Sequence, residues 1–425
     1  VAKAKAAFPS WAAVAPGDRA KLIRQLVRVM EEHHEELSVL EARNAGKPLA
    51  SARGEIGAAI ETFRYMSGAI ERPHGETIPV AGGMAFTVRE PLGVVGLITP
   101  WNFPLAIACW KLGPALAAGN TVVLKPAELT PLTAVRFGEL ALEAGIPEGV
   151  VNVVVGPGRT CGTRLVEHPD VAKIAFTGST EVGASIAAGA AQTIKRVTLE
   201  LGGKSANVVF ADADIEAAAA AAPWAVFDNA GQDCCARARI LVERSAVDDF
   251  LAALKPVVEK ITVGDPLAEG TEMGPLISAG QRETVASFLE PGAPVAIQGS
   301  VPDGPGYWFP PTVLHPVDPG HRAATEEIFG PIAVVIPFDD EAGAIEMAND
   351  TIYGLSGSIW TKDGARALRV ARALESGNLS INSNSSVRIN TPFGGFKQSG
   401  YGRELGPHAT DAYTELKTIF YATGQ

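Results

Sequence analysis

From Ala20 to Leu40 apolar positions recur at helical spacing with charges between them, which predicts an amphipathic surface helix. From Gly93 the pattern changes to short β-branched runs separated by longer alanine-rich helical stretches. The runs are Val94 to Thr99, Thr121 to Leu124, Val150 to Val155 and Lys173 to Phe176. Their alternation with helical segments predicts a parallel sheet with helices on its faces. A second series runs from Asn207 to about Phe338, with strands at Ala206 to Phe210 and Arg239 to Val242 and a helix from Ala246 to Ile261. The Pro- and Gly-punctuated stretch between Arg72 and Arg89 has β character, as does Tyr413 to Tyr421. Both read as sheet edges able to pair with another subunit.

Composition narrows this picture. A chain of 425 residues, 47% hydrophobic and 20% charged, can bury a sizeable core in about two or three domains. The 45 glycines and 30 prolines form no repeat. The net charge of −11 comes without any lysine or arginine run, which excludes the footprint of a nucleic-acid binder and points to a small-molecule partner. Cys109, Cys161, Cys234 and Cys235 make no CxxC pair and have no histidine-rich surroundings, so neither a metal nor a disulfide framework is expected. A reducing cytoplasm is the expected location. The apolar stretch from Ile98 to Ala118 is broken by Pro100, Asn102, Pro104, Lys111, Gly113 and Pro114, so no membrane span is expected. Val1 to Phe8 lack the apolar run of a signal peptide.

Several segments are able to carry chemistry, and each has a plainer structural reading. Gly178 to Gly183 follow the run Lys173 to Phe176 and open a helix, so their N–H groups either hold a pyrophosphate or form an ordinary strand-to-helix turn. Lys125 and Glu128 stand at a strand end, where they either bind ribose hydroxyls or cap a helix as solvated charges. Cys234 follows Gly231, Gln232 and Asp233, and is a reactive thiol or a buried inert one. Glu200 closes the run Val197 to Leu199 ahead of Gly202 and Gly203, as a site carboxylate or a surface residue. Asn102 sits in the rigid turn Pro100 to Pro104, a way to fix a hydrogen-bond donor or simply a turn. The loops Glu326 to Pro331 and Pro392 to Lys397 are stiffened by glycine and proline and carry aromatic rings.

In combination these segments settle what each leaves open. Pro100 to Pro104, Lys125 to Glu128, Phe176 to Gly183, Glu200 to Lys204, Gly231 to Ala236, Glu327 to Pro331 and Pro392 to Gly406, in this order, resemble the aldehyde dehydrogenase superfamily along essentially the whole chain. The resemblance implies an α/β architecture. It comprises a Rossmann-like parallel-sheet cofactor domain (1–72 and 91–201), an α/β catalytic domain (202–400) and a small β oligomerisation flap (73–90 and 411–425). A homodimer or homotetramer follows, and an N-terminus shorter than is usual in the superfamily.

Position by position, the resemblance makes Cys234 the nucleophile and Glu200 the general base, with Asn102 and the Cys234 N–H as the oxyanion hole and Lys111 as a proton relay. The cofactor would be NAD rather than NADP. It would be held by Ile98, Thr99, Pro100, Trp101, Lys125, Glu128, Gly178, Ser179, Gly183, Leu201, Glu327 and Phe329. The aldehyde tunnel would be lined by Ile107, Trp110, Trp224, Asp228, Asp233, Ser383, Ser385, Val387 and Phe393. Asp228 and Asp233, close in sequence to Cys234, suggest an ω-amino or related nitrogen-bearing aldehyde, against an aliphatic or aromatic one. Three other outcomes are coenzyme-A acylation, against which Glu200 argues, phosphorylating turnover, and an inactive NAD-binding scaffold.

Overall fold

The computed structural model describes residues 1–72, 75–385 and 387–423. Pro73, at the start of the expected flap, and residues 424–425, at its end, lie outside the described residues. Two parallel sheets dominate. One runs in the order Gly400–Tyr401, Arg196–Glu200, Val171–Thr177, Val94–Ile98, Thr121–Lys125 and Val151–Val153. Only Gly400–Tyr401 is antiparallel to its neighbour, and it reaches this sheet from far beyond Leu201. Val94–Ile98 and Thr121–Lys125 are buried along their whole length, as strands covered on both faces must be.

The second sheet orders Val295–Gln298, Thr312–Leu314, Ile332–Phe338, Arg239–Glu243, Ala206–Val209, Ser356–Trp360 and Asn378–Ile381. A third, antiparallel sheet joins Thr77–Val80, Gly83–Pro91 and Thr414–Ala422. The two segments read as edges therefore pair with each other, in unbroken register from Thr414 with Pro91 to Ala422 with Gly83.

The stretch from Ala20 to Leu40 is not one helix. Pro16–Glu32 ends at His33 (φ −100, ψ 15) and His34–Ala45 begins there. Both helices bury their apolar positions, Ile23, Leu26, Val27 and Met30 in the first and Leu37 in the second. Hydrophobic spacing reports the buried face and passes over a bend between two helices that share it. The run Val150 to Val155 shortens to Val151–Val153: the Val154 N–H makes a last bond to the Leu124 carbonyl, and Val154 and Val155 are 39% and 51% exposed.

The helix Pro104–Ala117 is apolar almost all round and buried almost all round, as expected for a helix inside a large core. Leu49–Ala69 packs against it, with Gly113 allowing Met66 and Thr62 to approach. Phe63 of that second helix stacks on Phe137 at 5.5 Å. Truncating such a ring to alanine costs about 3–5 kcal/mol. Among the described residues no helix is long and apolar enough to cross a membrane.

Candidate active site

Two clefts meet at Thr177, and Cys234 lines the second. The first opens where the parallel strands of the first sheet end, the place where backbone groups of an open α/β sheet face outward. Ile98, Thr99, Pro100 and Trp101 leave one strand, Lys125 and Glu128 another, and Gly178 and Ser179 a third. All of them line a cavity of about 880 Å³. Ser179 caps the helix Thr180–Ala191, its Oγ accepting from the Val182 N–H at 3.4 Å. The helix thus presents its N-terminal N–H groups and dipole to the cleft, a ready anion site.

Lys125 is buried, which lowers its ammonium pKa against the pull of Glu128. The Glu128 carboxylate accepts from the Gly158 N–H at 2.7 Å. Thr99 Oγ1 is buried with no protein partner. A buried unpaired hydroxyl facing a largely apolar cavity of this size, beside a helix N-terminus, fits a dinucleotide. Four residues expected here do not line this cavity: Gly183, Leu201, Glu327 and Phe329. A Cβ on Gly183 would stand 2.5 Å from Leu201 Cδ2, so the pair packs helix on sheet below the cleft and serves its shape without touching its space.

The second cleft, about 280 Å³, is lined by Ile107, Trp110, Trp224, Asp228, Asp233, Ser385, Val387 and Phe393, together with Cys234 and Glu200. Trp110 meets Phe393 edge to face at 5.2 Å. Ser383 is not in this wall. It follows Asn382 (φ 50), which turns the chain, and it faces a neighbouring groove while its Oγ accepts from the Ser385 N–H at 3.1 Å. Sequence reasoning missed Glu55, which lines the cavity from the helix Leu49–Ala69. Burial raises its carboxyl pKa to about 8 despite Lys47, whose Nζ reaches Glu55 Oε1 at 2.6 Å and the Asn102 carbonyl at 2.8 Å. Thr177 lines both clefts.

The backbone ahead of Cys234 is strained. Asn229, Ala230 and Gly231 all have left-handed φ, at 50, 56 and 70, a conformation that costs a non-glycine residue of order 1–3 kcal/mol. Gly231 is required for a second reason, since a Cβ would stand 2.2 Å from the Gly330 carbonyl oxygen. Side chains hold the loop. Asn229 Nδ2 donates to the Asn102 carbonyl at 3.0 Å, Gln232 Nε2 to the Asn229 carbonyl at 3.0 Å, and Asn102 Nδ2 to the Gln232 carbonyl at 3.0 Å. Asn102 is therefore fixed beside the thiol loop. Gly203 lets that loop come close, for a Cβ there would be 2.2 Å from the Cys234 carbonyl oxygen.

The Cys234 thiol sits beside that of Cys235, whose hydrogen bond, with burial and with Asp233 and Glu327 nearby, pushes its pKa well above the ordinary value. Glu200 is buried with neither carboxylate oxygen partnered. Burial, then the like charge of Glu404, raises its pKa well above the carboxylate range, with Lys111 and Arg403 opposing. Lys111, wholly buried, pairs with Glu404 and donates to Thr177 Oγ1 at 2.7 Å. Glu327 accepts from the Gly203 N–H at 2.8 Å, and burial raises its pKa to about 7. Phe329 (φ 53) meets Trp101 edge to face at 5.1 Å. The loop bearing Glu327 and Phe329 thus touches Trp101, which lines the first cleft.

The sequence of residues 1–419 matches the model of the aldehyde dehydrogenase family. An aldehyde dehydrogenase of Emericella nidulans is 44% identical over 100% of this chain and 87% of its own length. A betaine aldehyde dehydrogenase of Sinorhizobium fredii is 44% identical over 100% of this chain and 89% of its own. The crystal structure of PnpE from Pseudomonas sp. WBC-3 in complex with nicotinamide adenine dinucleotide superposes with a TM-score of 0.97, at 44% identity, over 100% of this chain and 89% of that one. This chain belongs to the aldehyde dehydrogenase family, whose members use NAD or NADP.

Proposed function

We propose that the chain oxidises an aldehyde to a carboxylic acid through a thioester on Cys234, with NAD taking the hydride. The observation that carries this reading is that Cys234 and Glu200 line the same cavity, which shares Thr177 with the first cleft. Cys234 gives up its proton and its sulfur attacks the aldehyde carbon. Asn102 Nδ2 and the Cys234 N–H would hold the resulting oxyanion, and NAD in the first cleft would supply the hydride acceptor for the same carbon. Glu200 then takes a proton from water, whose oxygen attacks the thioester and frees the Cys234 sulfur and the carboxylate product. Lys111, paired with Glu404 close to Glu200, serves the return of that proton. Lys125, Glu128 and Ser179 would hold the adenosine ribose and the pyrophosphate, and Glu327 and Phe329 the nicotinamide end. These assignments divide the chain into a cofactor unit (1–72 and 91–201), a catalytic unit (202–400) and a flap.

For the substrate, we propose an ω-amino or other cationic aldehyde. Asp228, Asp233 and Glu55 bring three carboxyl groups to the cavity, and Trp110 and Trp224 add aromatic faces. Betaine aldehyde, in the name of one relative, is such a cation. An aliphatic or aromatic aldehyde is the second reading, favoured by Ile107, Val387 and Phe393 and by the pairing of Glu55 with Lys47. The test is kcat/KM for aminobutyraldehyde against butyraldehyde. Equal values overturn the amino-aldehyde reading.

Leu416, Phe420 and Tyr421 are 55%, 55% and 62% exposed on the flap strand, an apolar surface suited to a subunit contact in a homodimer or homotetramer. Sedimentation of the purified chain tests this. All four cysteines are free, in keeping with a reducing, cytoplasmic setting.

A further inference from the structure

We propose that Asp233, Cys234 and Cys235 form an inhibitory site for a thiophilic divalent cation such as Zn2+, which enters through the aldehyde cavity and takes the nucleophile out of reaction. This rests on the reading of Cys234 as nucleophile. A sequence search for CxxC or histidine spacing passes over these residues because they are consecutive. In the fold, a carboxylate oxygen and the two sulfurs all lie within 4.8 Å of one another. A tetrahedral zinc ion with bonds of about 2.3 Å to sulfur and 2.0–2.2 Å to oxygen needs its ligands roughly 3.5–3.8 Å apart. The atoms therefore have to close by about an ångström, which side-chain rotation supplies.

The local backbone explains how neighbours in sequence become ligands on one side. The chain turns here, the Ala236 N–H donating to the Asp233 carbonyl at 3.0 Å. Asp233 Oδ1 is fixed by the Cys235 N–H at 2.8 Å, which orients the carboxylate and leaves lone pairs on both of its oxygens. Second-sphere bonds of this kind are what hold ligating carboxylates in place. Asp233, Cys234 and Cys235 all line the aldehyde cavity, so an ion has a route in and a water can fill the fourth position. Glu200 and Asp228 add carboxyl groups to the same cavity, with Arg237 as the opposing charge.

Two sulfurs and one oxygen select a soft ion over Mg2+ or Ca2+. Binding forms two Zn–S bonds and one Zn–O bond, the two thiol protons go to solvent, and no electron moves. With one lone pair given to the metal, the Cys234 sulfur is a weaker nucleophile, and the ion occupies the cavity in front of it. A single-thiol poison would need neither Cys235 nor Asp233, and that difference decides the experiment.

The full-length protein, supplied with NAD and an aldehyde, is titrated with ZnCl2 or MgCl2 while NADH is followed. Co2+ binding is read in parallel by its thiolate charge-transfer absorption. Expected are inhibition by Zn2+ at one ion per site, reversal by EDTA, no effect of Mg2+, and a Co2+ band that falls in Cys234→Ala and in Cys235→Ser. The Zn2+ concentration for half-inhibition, taken against each variant's own rate, should rise at least about tenfold in Cys235→Ser and in Asp233→Asn. Equal sensitivity of the parent and Cys235→Ser, or a Co2+ band unchanged in both cysteine variants, overturns the site. A cysteine-dependent Co2+ band together with turnover indifferent to Zn2+ overturns the inhibition while the ligand set stands, and full turnover in Cys234→Ala overturns instead the reading of Cys234 as nucleophile.

Discussion

The two clefts that share Thr177 are built by opposite strategies. The cofactor side is assembled from adjacent strand ends of one sheet and the N-terminus of the helix Thr180–Ala191, with side chains such as Glu128 and Ser179 at the cleft surface. The aldehyde side is assembled from remote segments, from Glu55 to Phe393, and carries buried ionisable groups whose protonation burial controls. A surface that binds by backbone geometry tolerates the loss of a side chain, because neighbouring N–H groups remain. A cavity that works through a few desolvated charges does not. Substitutions on the two sides should therefore differ in size, and four experiments rank that difference.

The largest effect is expected at the thiol. Cys234→Ala should lower aldehyde oxidation on the order of 10⁴-fold or more, while NAD titration by calorimetry gives an unchanged Kd. Residual turnover within about tenfold of the parent would remove Cys234 from the mechanism. On the aldehyde side, Glu200→Gln should leave a single burst of NADH and reduce the steady-state rate by about 10²–10⁴-fold. Because the Glu200 carboxyl is raised by burial and Glu404, it acts as base only above its raised pKa. Steady-state turnover should climb with pH beyond the ordinary carboxylate range, and the Gln variant should lack that limb. A variant that cycles at the parent rate would transfer the base role to another group.

Smaller effects follow. Asp228→Asn and Asp233→Asn should each cut the preference for aminobutyraldehyde over butyraldehyde by on the order of tenfold, and a preference that survives both would leave the tunnel walls as the selector. Least is expected at Glu128. Its carboxylate is exposed and screened, so Glu128→Gln should improve NADP use relative to NAD by roughly threefold. A change as large as that at Glu200 would erase the contrast between the two sides.

The same contrast explains what could be read from the chain. The alternation of β-branched runs and alanine-rich stretches gave the first sheet, because its strands are short, continuous and locally encoded. The cofactor cleft came with it, since it lies where those strands stop. Gly183 and Leu201, expected at the cofactor, pack helix against sheet, and Glu327 and Phe329 lie outside the lining of the first cleft. The aldehyde side was less legible. Glu55 lies in an unremarkable helix, and only the fold brings it to Asp228 and Asp233. Ser383 was lost to the left-handed turn at Asn382, which no alternation of polarity announces. Cys234, Glu200 and Asn102 were legible only through family resemblance, for a lone cysteine, glutamate or asparagine has a structural reading at least as good.

The ion pair between Lys111 and Glu404 joins positions 293 residues apart, and both side chains are almost wholly buried. An ammonium buried without its carboxylate costs several kcal/mol. During synthesis, residues 104–117 leave the ribosome long before Glu404 exists. A nascent chain that closes its first core early must therefore bury a naked charge or keep that helix exposed to water and to chaperones. The order of translation thus opposes early compaction around this helix, and the protein gains its native core only when nearly all of the chain is available to fold.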